Sequence, residues 1–187
     1  MVKLLKYPTE QDWIECKQRA VKTMGLKVKT APSEIWKVGM LQCKHSPIRC
    51  LNFSFELTVP YFVSVHLCRH VHATPYIQSQ RNDRQSSYDR NSATQDQLVQ
   101  MIWDMNAEEL ITIAEKRMCL LSSLETRKVI REMVRQVIEK CPEFRHELKP
   151  VCAKYQYCKE MFPCGRAERD EITMINEFAI KNLGDNL

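Results

Sequence analysis

Arginine, histidine, serine and glutamine crowd into one short stretch, Arg69-His70-Val71-His72-Ala73-Thr74-Pro75-Tyr76-Ile77-Gln78-Ser79-Gln80-Arg81. Forked guanidinium donors, imidazoles and hydroxyls are the groups that hold anions and orient polar ligands. Composition alone reads the stretch as a solvated basic loop, and the polar run continues to Ser92. Cysteine is the second reactive type, with nine scattered from Cys16 to Cys164. Cys152, Cys158 and Cys164, with Cys141 nearby, offer a four-thiolate zinc set. Their five-residue gaps differ from the short C-x-x-C knuckle, so free thiols are expected and no metal is assigned. Cys43, His45 and Cys50 form a weaker candidate set. His66 is expected to be hydrogen-bonded in a core or cleft, and His72 to meet ligand or solvent.

Rigid elements must aim these groups. Thr9 and Asp12 mark a helix start, with Trp13, Cys16, Ala20 and Met24 at helical spacing and an end near Gly25. A second helix opens at Ser33 and carries Ile35, Trp36, Val38, Met40 and Leu41. Phe53, Phe55, Leu57 and Val59 then alternate with polar residues, which predicts a half-buried strand ended by Pro60. Pro60 to about His70 reads as a helix, because Pro suits a first helical turn and Phe62, Val63, His66, Leu67 and His70 recur at threes and fours. Thr94 and Gln97 read as a capping box for another helix through Leu98, Met101, Ile102 and Met105. After a break near Asn106, Leu110, Ile113, Ala114 and Arg117 continue the helical spacing. A strong last helix starts near Ser122 with Glu125 in its cap and ends before Cys141-Pro142, and the tail from Val151 to Arg166 reads as irregular. No repeat or linker divides the chain, so residues 1–187 are expected to form one domain of α+β class, an antiparallel or mixed sheet core wrapped by helices.

Composition excludes several classes. A chain of 187 residues, 44% hydrophobic and 27% charged, is neither disordered nor low in complexity. No apolar run reaches the roughly 20 residues of a membrane span, and Met1 to Tyr7 lacks the core of a signal peptide, so a cytoplasmic setting with reduced thiols is expected. A net charge of +5 favours anionic ligands without marking a nucleic-acid groove. Four glycines leave no phosphate-binding loop: neither G-x-x-x-x-G-K-[ST] nor G-x-G-x-x-G occurs.

The segment Arg69-His70-Val71, seven residues, Ser79, then Arg81 resembles the R-H-R, seven residues, S signature of the flavin-dependent thymidylate synthase (ThyX) family. Upstream, Lys44-His45-Ser46-Pro47-Ile48-Arg49, Asn52-Phe53-Ser54-Phe55 and Pro60-Tyr61-Phe62-Val63 are similar to that family's H-x-[ST]-P-F-E-H, F-x-F and A-P-x-F-V run. Downstream, Trp103-Asp104-Met105-Asn106-Ala107 resembles W-T-x-N-A-R, and Arg117 falls where the family carries an Arg. Pro150-Val151-Cys152, Gln156-Tyr157-Cys158-Lys159-Glu160 and Cys164-Gly165-Arg166 are similar to its C-terminal segments. The resemblance spans Lys44 to Arg166.

It implies a ThyX-like fold, reductive methylation of dUMP to dTMP with FAD, NADPH and methylenetetrahydrofolate, and a homotetramer with active sites shared between chains. Carried over residue by residue, Arg117 polarises the pyrimidine and Ser79 joins it at the reacting centre. Ser79, Gln80, Arg81, Arg90 and His66 bind the pyrimidine deoxynucleotide monophosphate, and Ser46, Arg69, His70, His72 and Asn106 hold the flavin. No nucleic-acid or membrane partner is implied. The chain departs from the pattern at Lys44, Arg49, Val71, Ile77 and Glu108. Arg49 and Glu108 are charge reversals, tolerable in a cofactor site if they pair with each other. The departures leave two alternatives: a related enzyme that methylates or hydroxymethylates another pyrimidine nucleotide such as dCMP, or a non-catalytic nucleotide-binding module.

Overall fold

The chain is described by a computed structural model over residues 1–84 and 89–167. Part of the polar loop and the end of the single-domain reading fall on 85–88 and 168–187, outside the described residues. Strand β2, Asn52–Pro60, buries Phe53, Phe55, Leu57 and Val59 and turns its alternate residues outward. Its partner β4, Leu98–Asn106, does the same with Val99, Met101, Trp103 and Met105. Their ladder runs unbroken from Asn52 opposite Asn106 to Pro60 opposite Leu98. The edges are β1, Val2–Lys6, against β2, and β3, Thr74–Ile77, against β4, giving an antiparallel sheet of order β1-β2-β4-β3.

Helices cover the buried face: α1 (Glu10–Lys22), α2 (Glu34–Gln42), α3 (Tyr61–Cys68), α4 (Ala107–Arg117), α5 (Leu124–Lys140) and the short α6 (Val151–Tyr155). The α+β expectation holds, with a wholly antiparallel sheet. Helix α1 starts at the expected capping box, where Asp12 Oδ2 accepts from the Thr9 backbone N–H at 2.7 Å. Between α1 and the sheet, Trp13, Phe53 and Phe144 pack with centroid separations of 5.2–6.1 Å. The Trp13 indole donates to Glu143 Oε1 at 2.8 Å, so its polar atom is satisfied inside the core. Full burial of each such side chain stabilises the fold by roughly 1.5–3 kcal/mol. Among the described residues no helix is long and apolar enough to cross a membrane.

Two sequence expectations are corrected. The segment from Thr94 to Met105 is not a helix; Leu98–Asn106 is β4. Leu98, Met101, Ile102 and Met105 satisfy helical spacing, yet Leu98 is 62% and Ile102 41% exposed, and the buried set is the two-residue repeat through Val99 and Trp103. Pairing on both sides with β2 and β3 decides for the strand. The polar stretch after His72 contains β3, whose Pro75 is tolerated because the strand lies at the sheet edge. The tail is irregular apart from α6.

Candidate functional site

Strand β4 ends at Asn106 and α4 begins at Ala107, with no residue between them. Asn106 keeps extended backbone and caps the helix, its Oδ1 accepting from the Glu109 backbone N–H at 3.0 Å. Ala107 N–H donates to Leu51 O at 2.8 Å, tying this corner to the chain entering β2. The junction therefore aims Asn106, Glu108 and Glu109 from a fixed position.

Behind them lies a three-residue relay. Arg117 Nε donates to His70 Nε2 at 2.9 Å, and His70 Nδ1 meets Glu109 Oε1 at 3.2 Å. A guanidinium can only donate, so Nε2 must be the unprotonated nitrogen, and Nδ1 carries the proton given to Glu109. His70 and Glu109 are both buried, and the His70 ring stands edge-on to Trp103 with centroids 6.1 Å apart. Arg117 Nη2 also reaches the His66 carbonyl at 3.4 Å. Burial, and then the charge of nearby Arg69, push the pKa of Arg117 below its ordinary value. The cation is thus held by neutral acceptors rather than by a carboxylate. His66 is half-buried, with Nδ1 3.4 Å from Thr126 Oγ1.

In front of the relay is a cavity of about 360 Å³ lined by Arg49, His72, Asn106, Glu108, Glu109 and Thr112. Arg49 Nε bonds Glu108 Oε2, with Nη2 3.3 Å from Oε1, so the two reversed charges do pair. The Arg49 guanidinium holds the Glu108 carboxyl below its usual range. One turn away, Lys44 adopts φ 45° in the cap that closes α2, where glycine is favoured. Lys44 N–H donates to Leu41 O at 3.1 Å and His45 N–H to Met40 O at 3.2 Å. The Lys44 ammonium reaches Glu115 at 2.9 Å, and Lys154 binds the other oxygen of the same carboxylate at 2.8 Å. Burial raises the pKa of Glu115, but these two bonds outweigh it and hold the carboxyl below its ordinary value.

Of the expected flavin residues, His72 and Asn106 line the cavity and His70 stands directly behind it, bonded to Glu109. Ser46 and Arg69 are exposed beside it, on the 3-10 turn Ser46–Cys50 that carries Arg49 and at the end of α3. Arg117 and His66 come together. Ser79, Gln80, Arg81 and Arg90 do not join them. Gln78 N–H bonds the Gln100 carbonyl, whereas Thr74 pairs with Asp104. Ser79 thus leaves β3 at the far end of the ladder, roughly 23 Å along the strand from Asn106. There Ser79 Oγ accepts from Arg81 N–H at 3.3 Å, and the Arg81 guanidinium is paired with Asp83 at 2.6 and 2.9 Å. Arg90 is exposed. Cys50 lies within hydrogen-bond reach of Cys16, away from any set with Cys43, and burial lifts the Cys16 thiol to about 12.

Glu109 and Thr112 were not singled out in the sequence. Asn106-x-x-Glu109 is an N-cap spacing that signals the helix start, but nothing in it tells that Glu109 turns inward to His70. Neither a protein-family model nor a curated protein matches the chain.

Proposed function

We propose that the chain is a flavin-dependent thymidylate synthase-like enzyme of the cytoplasm, methylating dUMP to dTMP with FAD, NADPH and methylenetetrahydrofolate. The observation that carries this reading is the meeting of three separated segments at one cavity, with Arg117 linked to its wall through His70 and Glu109. The run ending at Arg49, the stretch from Arg69 to His72, and the Asn106 corner with the helix that ends at Arg117 are the pieces on which the family resemblance rests.

The residues fit a flavin ring better than its phosphates. Arg49 is neutralised by Glu108 and Glu109 is engaged by His70, so the cavity offers His72 and the Asn106 amide nitrogen as single donors. Those suit the oxygen and nitrogen edge of the ring, while a diphosphate would be held at exposed Arg69. A reduced flavin bound there would supply the reducing equivalents. Arg117, fixed through Nε to His70, keeps its Nη1 donors for a pyrimidine carbonyl, where a positioned cation stabilises charge that develops as C5 becomes nucleophilic. Ser79, Gln80, Arg81 and Arg90 would bind the nucleotide phosphate. Their distance from Arg117 within one chain supports sites shared between protomers of a homotetramer, in which one copy supplies the phosphate residues and another the relay.

The visible absorption spectrum of the purified protein tests this, recorded with FAD, then dUMP or dCMP, then NADPH. The expected result is a bound flavin that bleaches with NADPH and is perturbed more by dUMP than by dCMP. A stronger response to dCMP would move the reading to a different pyrimidine, and no flavin binding under any condition would overturn it.

A further inference from the structure

Both ring nitrogens of His70 are occupied within the chain. Nε2 accepts from Arg117 at 2.9 Å and Nδ1 meets Glu109 at 3.2 Å. An imidazole makes one in-plane bond at each nitrogen, so His70 has none left for the flavin, the role the resemblance gives it. Glu109, to which the resemblance gives no role, stands at the far end of these bonds and on the cavity wall. From this we infer that Glu109 is a positioning residue: it fixes the tautomer of His70 and, through that ring, the orientation of the Arg117 guanidinium towards the pyrimidine. The inference rests on the proposed function for the identity of the ligand, and on the geometry alone for the link from Glu109 to Arg117.

Three observations lead to it. The first is that only one tautomer fits. With its proton on Nε2, the ring would set a donor against the Arg117 donor, and the guanidinium would lose its acceptor. A carboxylate can only accept, so Glu109 selects the form with the proton on Nδ1. Second, Glu109 is itself held still. Its backbone N–H bonds Asn106 Oδ1 at 3.0 Å in the first turn of α4, where the helix N-terminus favours a negative charge. The Glu109 and His70 side chains are both buried, so water competes little for the bond between them, and Trp103 stands edge-on to the ring. Third, Arg117 has no other strong hold. Its second bond, from Nη2 to the His66 carbonyl, is long at 3.4 Å, and among the described residues no carboxylate pairs with it. A half-buried cation with one good acceptor turns with that acceptor, so whatever sets the ring sets the guanidinium.

Two substitutions separate this role from a merely structural one. In Glu109→Gln the side chain keeps its length, but its amide both accepts and donates, so the ring is released to carry its proton on either nitrogen. The Nε2-protonated fraction leaves Arg117 without its anchor, while His72 and Asn106 still line the cavity. His70→Gln does the reverse. Its amide oxygen takes the place of Nε2 and accepts from Arg117 whatever stands at position 109.

The test has two arms, both on the full chain. Solid-state ¹⁵N NMR of histidine-labelled protein reads the tautomer without any ligand, the His70 signals being those lost in His70→Gln. The parent should show the proton on Nδ1, and Glu109→Gln a mixture of the two forms. Titration with dUMP and with FAD reads the consequence. Glu109→Gln should bind dUMP roughly tenfold or more weakly and lose less affinity for FAD. In the His70→Gln background the same change at 109 should cost no further dUMP affinity. A proton on Nε2 in the parent, parental dUMP affinity in Glu109→Gln, equal losses for FAD and dUMP, or an undiminished loss in the His70→Gln background would each overturn the positioning role. A parent with the expected tautomer that binds no dUMP would instead overturn the thymidylate synthase reading, and with it the part of Glu109 in pyrimidine binding. The NMR arm on the unaltered chain keeps the test decisive if a variant fails to fold.

Discussion

Arg49 and Glu108 show how a site can change sign without losing a bond. Each carries the charge opposite to the one the resemblance leads one to expect, and the two lie in contact at the cavity mouth. A single reversal would set like charges against each other or leave one unpaired; reversal at both ends keeps the attraction. Because Arg49 is 61% exposed, solvent screens the pair and its coupling should be modest. We expect R49E and E108R each to weaken FAD binding and lower stability, and the double variant R49E/E108R to recover most of both. Urea unfolding and flavin titration of the four proteins measure this, and losses in the double variant equal to the sum of the singles would rule the coupling out. The need for this pairing was legible in the sequence, since two reversals in one motif set demand a partner. The His70–Glu109 contact was not, because its donor and acceptor are 39 residues apart and no spacing rule links them.

At the scale of elements, helix α5 holds the outer strand through one amide. Gln136 accepts from Leu4 N–H at 2.8 Å and donates to Val2 O at 2.9 Å, satisfying backbone groups that an edge strand would otherwise present to solvent. The same Nε2 donates to Glu132 at 2.7 Å. The Arg135 guanidinium, with this amide behind it, holds the Glu132 carboxyl down at about 2, against an ordinary 4.5. A lowered carboxyl pKa stabilises the folded chain fully above the ordinary value, and that contribution is lost as pH falls through the folded one. Acid should therefore loosen the α5–β1 contact between about pH 4.5 and 2. NMR titration of the Glu132 carboxyl is expected to give a midpoint near 2 in the native chain; a midpoint at 4.5 would show that the clamp does not form. Legibility varied among elements for physical reasons. α1 announced itself through the Thr9–Asp12 box and β2 through strict alternation, both local signals. β4 satisfied two periods at once, and only its neighbours choose between them. β1 and β3 are too short to carry a pattern, and β3 contains a proline that only its edge position permits.

Considered as a whole, the molecule has helices on one side of its sheet and leaves the other side uncovered. Tyr76, Leu98 and Ile102 are exposed there. Beside them Asp104 Oδ1 is shielded from water yet meets no donor among the described residues. A second copy of the chain against this face would suit the proposed tetramer. Sedimentation should give a tetramer, and Ile102→Lys should shift it towards smaller species while far-ultraviolet circular dichroism stays unchanged; a monomeric parent protein would refute the shared-site reading. Sharing of sites between chains is an expectation carried by the family resemblance alone; no spacing in the sequence tells whether Ser79 and Arg117 act from one chain or from two. The sheet order also sets a timetable. β2 can pair with nothing but β1 until β4 exists, and Leu98 lies roughly 40 residues beyond Pro60, a wait of about 2–8 s at ordinary rates of translation. Through that interval Phe53, Phe55, Leu57 and Val59 form an apolar stripe with an unsatisfied edge in the nascent chain, a ready target for chaperones and for stray strands. The cavity, whose walls come from both sides of the delay, can close only at its end.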